Sequence, residues 1–185
     1  MRVTKSRYHN QVQRYALAAR MVAHEVRTDT ICRWSGLSEG RVRELYRAFA
    51  RERGDRRTVR HRGPAPKQPA FFLRTAQVCR EAGALAVVCA TLGVLPEQPL
   101  PNAQHELPGL QRGELLCRAY EMFKGLVGGS SITLEHTLLL AIAIAQGTQL
   151  TLGHCQCCGG AVIFHPHGSA RSPACKQCQA DADAL

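Results

Sequence analysis

Apolar positions in the first third of the chain recur with a helical period. Val12, Tyr15, Ala16, Ala19, Val22, Ala23 and Val26 fall at i, i+3, i+4 and i+7 spacing, which predicts one amphipathic helix over residues 10–26. A short helix over 30–35 follows, with Thr28 or Asp29 as its N-cap, and Gly36-Leu37 breaks it. Ser38 then caps a third helix that runs through Phe49. Residues 51–69 are rich in Arg, then in Gly and Pro, with almost no large apolar side chain. Such a stretch cannot bury a face and reads as an arm or linker. Helical composition resumes over 71–95, residues 96–108 hold four prolines and read as a loop, and residues 110–126 form another amphipathic helix. Leu115, Leu116, Ala119, Met122, Phe123 and Leu126 share one side of that helix, and Gly128-Gly129 ends it. Residues 134–145 are apolar almost all round, so this helix is buried or used for assembly, and Gly147 stops it. A short strand is expected at 161–164, and residues 179–185 form a short acidic tail.

The pattern gives a mainly α protein. It has a helical N-terminal region (1–50), a basic arm (51–69), an apolar helical core used for assembly (70–150) and a small C-terminal four-cysteine module resembling a zinc ribbon (151–185). Composition fits a globular chain, since 45% of the 185 residues are hydrophobic. Disorder, collagen and a disulfide mini-protein are excluded as descriptions of the whole. The longest purely apolar run, 138–145, is far short of the ~20 residues that span a bilayer. The first ten residues carry no apolar signal region. A cytoplasmic protein with no membrane partner is therefore expected.

Charge changes the picture because it is regional. The net charge is +10, but residues 1–70 hold 17 Lys/Arg against 6 Asp/Glu, and residues 71–185 hold 7 against 8. A basic region on a near-neutral body suggests an anionic partner. Residues 30–47 fit a helix–turn–helix, with Gly36 at the turn. Ile31 and Cys32 on one side, and Leu37, Val42 and Leu45 on the other, would pack inward. Ser38, Glu39, Gly40, Arg43, Glu44 and Arg47 would face outward. On a recognition helix Ser38, Arg43 and Arg47 would reach base edges. The arm residues Arg56, Arg57, Arg60, Arg62 and Lys67 would meet phosphates. The same pattern also fits an ordinary helical hairpin with a solvated polar face. Glu39 and Glu44 count against a DNA face, although Glu can accept from cytosine.

Nine cysteines without a secretion signal point to metal more than to disulfides. Cys32, Cys79, Cys89 and Cys117 sit among apolar neighbours and read as small core residues. Cys155-x2-Cys158 and Cys175-x2-Cys178, sixteen residues apart, have the spacing of a structural zinc site. Each pair forms a knuckle that aims two thiolates at one point, and Gly159-Gly160 permits the turn. One structural Zn²⁺ per chain is expected. An iron–sulfur centre and a redox dithiol remain open, as does Cys157 in place of Cys158. A zinc deaminase would need His-x-Glu, which does not occur, and no base is placed beside Cys157, so no enzyme is expected.

Three groups of residues carry a family resemblance. The first is Cys155-Gln-Cys-Cys-Gly-Gly, Phe164-His-Pro-His and Ala174-Cys-Lys-Gln-Cys178. The second is Ala18-Ala-Arg, Ser35-Gly-Leu-Ser, Gly40-Arg and Leu45-Tyr-Arg. The third is Gly63-Pro-Ala-Pro-Lys67. Together they resemble the FlhC family, a subunit of the bacterial flagellar transcriptional master regulator. The resemblance implies a mostly helical fold with zinc on Cys155, Cys158, Cys175 and Cys178. It also implies assembly with an FlhD-like subunit, as a heterohexamer of four FlhD and two FlhC. Such an assembly activates flagellar promoter DNA through contact with RNA polymerase. The chain departs from the family in a longer, more Arg-rich arm and in an acidic tail where some members continue with basic residues. The alternative is a zinc-containing protein–protein adaptor with no direct DNA contact.

Overall fold

The computed structural model describes residues 2–52, 59–96, 108–166 and 174–183. The chain divides into two compact units, residues 1–65 with 105–117, and residues 66–104 with 118–185. The expected loop at 96–108 lies almost wholly outside the described residues.

The first unit contains α1 (Arg2–Ala23), α2 (Thr28–Ser35), α3 (Glu39–Glu52) and the first part of α5 (Leu110–Leu126). Helix α1 begins well before the expected residue 10 and ends three residues before Val26. It also buries a stripe that only partly overlaps the one the spacing favoured, sharing Val22 and, just past the helix, Val26. Leu17, Ala18, Met21 and Val22 are fully buried, whereas Val12 is 49% exposed and Ala16 is exposed. Both stripes obey the helical period. The chain buries the one that carries Leu17 and Met21, because larger side chains remove more apolar area from water. Helix α2 starts at Thr28, with Arg27 as its cap residue and no side-chain cap, so neither Thr28 nor Asp29 caps it. Gly36 ends it at φ +69°, the left-handed conformation the turn needs. Helix α1 packs on both α2 and α3. Ile31, Trp34, Val42 and Tyr46 complete this core, with the buried Tyr46 hydroxyl donating to the Val26 carbonyl. Gly113 brings α5 in closely, since a Cβ there would lie 2.6 Å from Leu17 Cδ2 and 3.3 Å from Trp34 Cε3. Beside it, Arg20 and Glu114 form a part-buried ion pair.

The second unit contains a 3₁₀ turn (Pro69–Leu73), α4 (Ala76–Thr91), the rest of α5, α6 (Leu134–Gln146), β1 (Thr151–His154), β2 (Ala161–Phe164) and α7 (Lys176–Asp183). Helix α6 is held at both ends. Thr133 Oγ1 accepts the His136 N–H while His136 Nδ1 accepts the Thr133 N–H, and Gly147 closes the helix at φ +65°. Cys79, Cys89 and Cys117 are buried core residues as expected, and Cys32 is half-buried. Burial pushes the Cys89 thiol up to about 12 and raises Cys79, so these thiols stay neutral. On α5, Ala119, Tyr120 and Phe123 are buried, but Met122 and Leu126 of the expected face are exposed. The buried Glu81 carboxylate is satisfied by the Ser130 hydroxyl at 2.6 Å and by Gln77 Nε2 at 2.8 Å. This matters because an unpaired buried carboxylate would cost several kcal/mol.

Strands β1 and β2 form an antiparallel pair in the register Thr151–Phe164, Leu152–Ile163, Gly153–Val162 and His154–Ala161. The strand β1 and the helix α7, which replaces the expected acidic tail, both lie beyond what the spacing indicated. Strand β2 packs on α4 and the 3₁₀ turn, and β1 on α6. Among the described residues, no helix is long and apolar enough to cross a membrane.

The α4–β2 contact is close because Gly83 has no side chain. A Cβ at Gly83 would lie 2.7 Å from the Ala161 carbonyl oxygen, a backbone atom that moves only if β2 moves. Gly83→Ala is therefore expected to destabilise the protein by about 1–3 kcal/mol despite the better helix propensity of alanine. Gly40→Ala in α3, with open space around it, should stabilise by about 0.5–1 kcal/mol. Thermal melts of the two variants check this pair of opposite signs.

Candidate metal centre and nucleic-acid face

The β1–β2 hairpin ends in the first cysteine pair. The Cys155 N–H donates to the Gly160 carbonyl at 2.8 Å, and the Gly159 N–H donates back to the Cys155 carbonyl at 2.9 Å. Gly159 takes φ +70° to make this turn. Cys155 and Cys158 thereby face one point. The second pair is built differently, on the N-terminus of a helix. Cys175 immediately precedes α7, and Cys178 lies in its first turn. The Gln179 N–H donates to the Cys175 carbonyl at 3.0 Å. Hydrogen bonds from two side chains help fasten α7 to the unit. Lys176 Nζ donates to the Leu73 carbonyl, and Arg80 Nη1 donates to Gln177 Oε1 at 3.0 Å.

The sulfurs of Cys155, Cys158, Cys175 and Cys178 lie within 4.8 Å of one another. Cys158 and Cys175 are 3.9 Å apart at sulfur, far beyond the ~2.05 Å of a disulfide. A tetrahedral ion with ~2.3 Å bonds would place its thiolates about 3.8 Å apart. The four cysteines named from the spacing thus come together in a site that can hold a metal ion. Cys157 is exposed and outside the group, as are His154 and His165. His167 lies outside the described residues.

Backbone N–H groups already favour a thiolate here. Cys155 is lowered to about 6 by N–H donors of Cys158 and Cys175, against the opposing effect of burial, with a smaller contribution from Cys157. The Cys175 N–H lies 3.1 Å and the Cys157 N–H 3.4 Å from Cys155 Sγ. Cys178 is raised instead, chiefly by its thiol contacts with Cys175 and Cys158. The surroundings of the cluster therefore push the two thiols in opposite directions, Cys155 towards the thiolate and Cys178 towards the thiol. A depressed folded pKa adds stability that is present above the ordinary thiol range and is lost as pH falls through about 6. In metal-free protein, absorbance near 240 nm should report one thiolate titrating near pH 6. Cys155→Ser should remove that step.

The basic candidates divide. Ser38, Arg43 and Arg47 are exposed at and along α3. The Ser38 carbonyl accepts the Val42 N–H at 3.1 Å. Arg43 pairs with Glu39, and Arg47 Nε donates to the Arg43 carbonyl at 3.4 Å. The arm brings Arg60 to the same place. Arg43, Tyr46, Arg47, Ala50 and Arg60 line one shallow depression of about 300 Å³. Arg62 is exposed elsewhere on the arm. Lys67 is exposed but belongs to the second unit. Arg56 and Arg57 lie outside the described residues. Two residues went unread in the sequence. Tyr46 forms the apolar floor, and its place one turn after Val42 was the available signal. Glu25 holds the arm, and no local pattern marked it.

Compared with known proteins, the chain matches no family model and no curated protein.

Proposed function

We propose that this chain is a DNA-binding transcriptional activator subunit of the FlhC type, acting with an FlhD-like partner at flagellar promoters. The observation that carries the reading is the clustering of Arg43, Arg47 and Arg60 on the exposed side of a helix–turn–helix in the basic first unit. In this reading the outward face of α3 enters the major groove, and the arm meets phosphates. The four-thiol site holds one structural Zn²⁺. Four thiolates suit that ion and leave no position open for water, so the metal's role is to fold the C-terminal module. The FlhC resemblance supplies the remaining parts, which are RNA polymerase contact, a heterohexamer of four FlhD and two FlhC, and a cytoplasmic location.

A second reading is a zinc-containing adaptor that holds protein partners and does not touch DNA. It is favoured by the pairing of Arg43 with Glu39 and of Arg41 with Glu44 at 3.1 Å, which places carboxylates on the proposed DNA face.

Two measurements test these readings. Co-expressed with an FlhD-like partner, the chain should retard flagellar promoter DNA with an affinity that falls steeply with salt. Replacing Arg56, Arg57, Arg60 and Arg62 together should flatten the log–log slope by up to about 3–4. An unchanged slope removes the arm from the interface, and no retention at low salt favours the adaptor. Protein purified without chelator should carry about one zinc per chain, and Cys175→Ala should lose the soluble fold. Metal analysis that finds no zinc would refute the zinc assignment.

A further inference from the structure

The arm after α3 does not leave as a free tail. Glu25 sits in the corner between α1 and α2 at φ +59°, the single non-glycine residue with positive φ among those described. A left-handed glutamate costs about 1–2 kcal/mol relative to glycine, so the corner is built at a local cost. Its carboxylate grips the arm twice. Glu25 Oε1 accepts the Val59 N–H at 3.1 Å, and Oε2 lies 3.3 Å from His61 Nε2. Between these two contacts, Arg60 Nε donates to Thr28 Oγ1 at 3.0 Å, and Arg60 Nη2 lies 3.9 Å from Glu39 Oε1. Three consecutive arm residues are thus held against the start of α2 and the start of α3.

We infer that Glu25 is a positioning residue that pins the Arg-rich arm, so that Arg60 joins Arg43 and Arg47 in one composite face for nucleic-acid phosphate. A flexible arm must lose conformational freedom when it binds, whereas a pinned one has lost it in advance. Guanidinium groups fork onto phosphate oxygens, and three of them here surround the apolar floor of Tyr46 and Ala50. Glu39 is the carboxylate within reach of two of them, and a phosphate would compete with it for Arg43 and Arg60. The depression is open and shallow, which suits a phosphate of a polymer lying across it. The phosphate part of this inference rests on the proposed DNA-binding function, and the pinning does not.

The test uses the full chain and three variants. Glu25→Gly deletes the carboxylate and relieves the left-handed strain. Glu25→Gln keeps an acceptor for the Val59 N–H and loses the charge facing His61. Arg60→Ala deletes the positioned guanidinium. Limited trypsin digestion read by mass spectrometry should show cleavage after Arg60 and Arg62 about fivefold faster in Glu25→Gly than in wild type, with Glu25→Gln between them. Glu25→Gly should melt no lower than wild type, which separates arm release from unfolding. On duplex DNA, Arg60→Ala and Glu25→Gly should each weaken binding about tenfold and flatten the salt slope by about 1. The double variant should be no worse than either single one. Unchanged arm cleavage in Glu25→Gly overturns the pinning whatever the DNA result. Additive losses in the double variant overturn the positioning role. If wild-type chain with its partner retains no DNA, the function reading fails and cleavage alone decides the pin.

Discussion

A pair of four-residue strands is marginal in water, because so few cross-strand contacts cannot offset the entropy of ordering the chain. The β1–β2 hairpin persists through what lies at its ends and on its face. At one end it turns through Cys155 and Gly159 into the four-thiol cluster. On its face it lies directly on α4, where Gly83 lets the Ala161 carbonyl approach. Placement of α7 depends on the same arrangement, since α7 carries Cys178 and follows Cys175. Lys176 and Arg80 then tie that helix to the 3₁₀ turn and to α4. The metal-binding geometry and the packing of the second unit are therefore one structure. A metal ion would cross-link a hairpin and a helix that share few other contacts.

In the first unit the governing feature is a small helical core that leaves its charge outside. Leu17, Met21, Ile31, Trp34 and Val42 face inward, and α3 presents Arg43 and Arg47 to solvent. The ion pairs on that face are all exposed, and exposed pairs contribute at most about 1 kcal/mol each. Glu39 and Glu44 therefore offset part of the positive charge of that face without burying it. Glu25 works on a different scale. It fixes where the arm's charge sits, using two carboxylate oxygens and a backbone conformation that glutamate seldom adopts.

The cysteine site was the most legible part of the chain, since a C-x2-C spacing can set two thiols on one side, on a turn or on a helix N-terminus, and two such pairs can share one point. Gly36 and Gly147 were equally readable, because each follows an apolar helical run and each takes the left-handed cap. Less legible was which face of α1 is buried. Val12, Tyr15, Ala16 and Ala19 have the right period, as do Leu17, Met21 and their neighbours. Only the volume that α2, α3 and Gly113 leave between them selects the second set. Met122 and Leu126 were likewise assigned to the core by their period, but α5 turns Ala119, Tyr120 and Phe123 inward and leaves those two exposed.

The sequence by itself therefore determined the helical class, the helix stops at Gly36 and Gly147, the regional charge and the identity of the four clustered thiols. Each of these rests on short-range rules of spacing and backbone conformation. Only the tertiary structure decided that the second cysteine pair sits on a helix N-terminus and that Glu81 is buried with Ser130 and Gln77 as partners. It also decided that the arm folds back through Glu25 to set Arg60 beside Arg43 and Arg47. Those features join residues far apart in the chain, and no local pattern encodes which distant groups will meet.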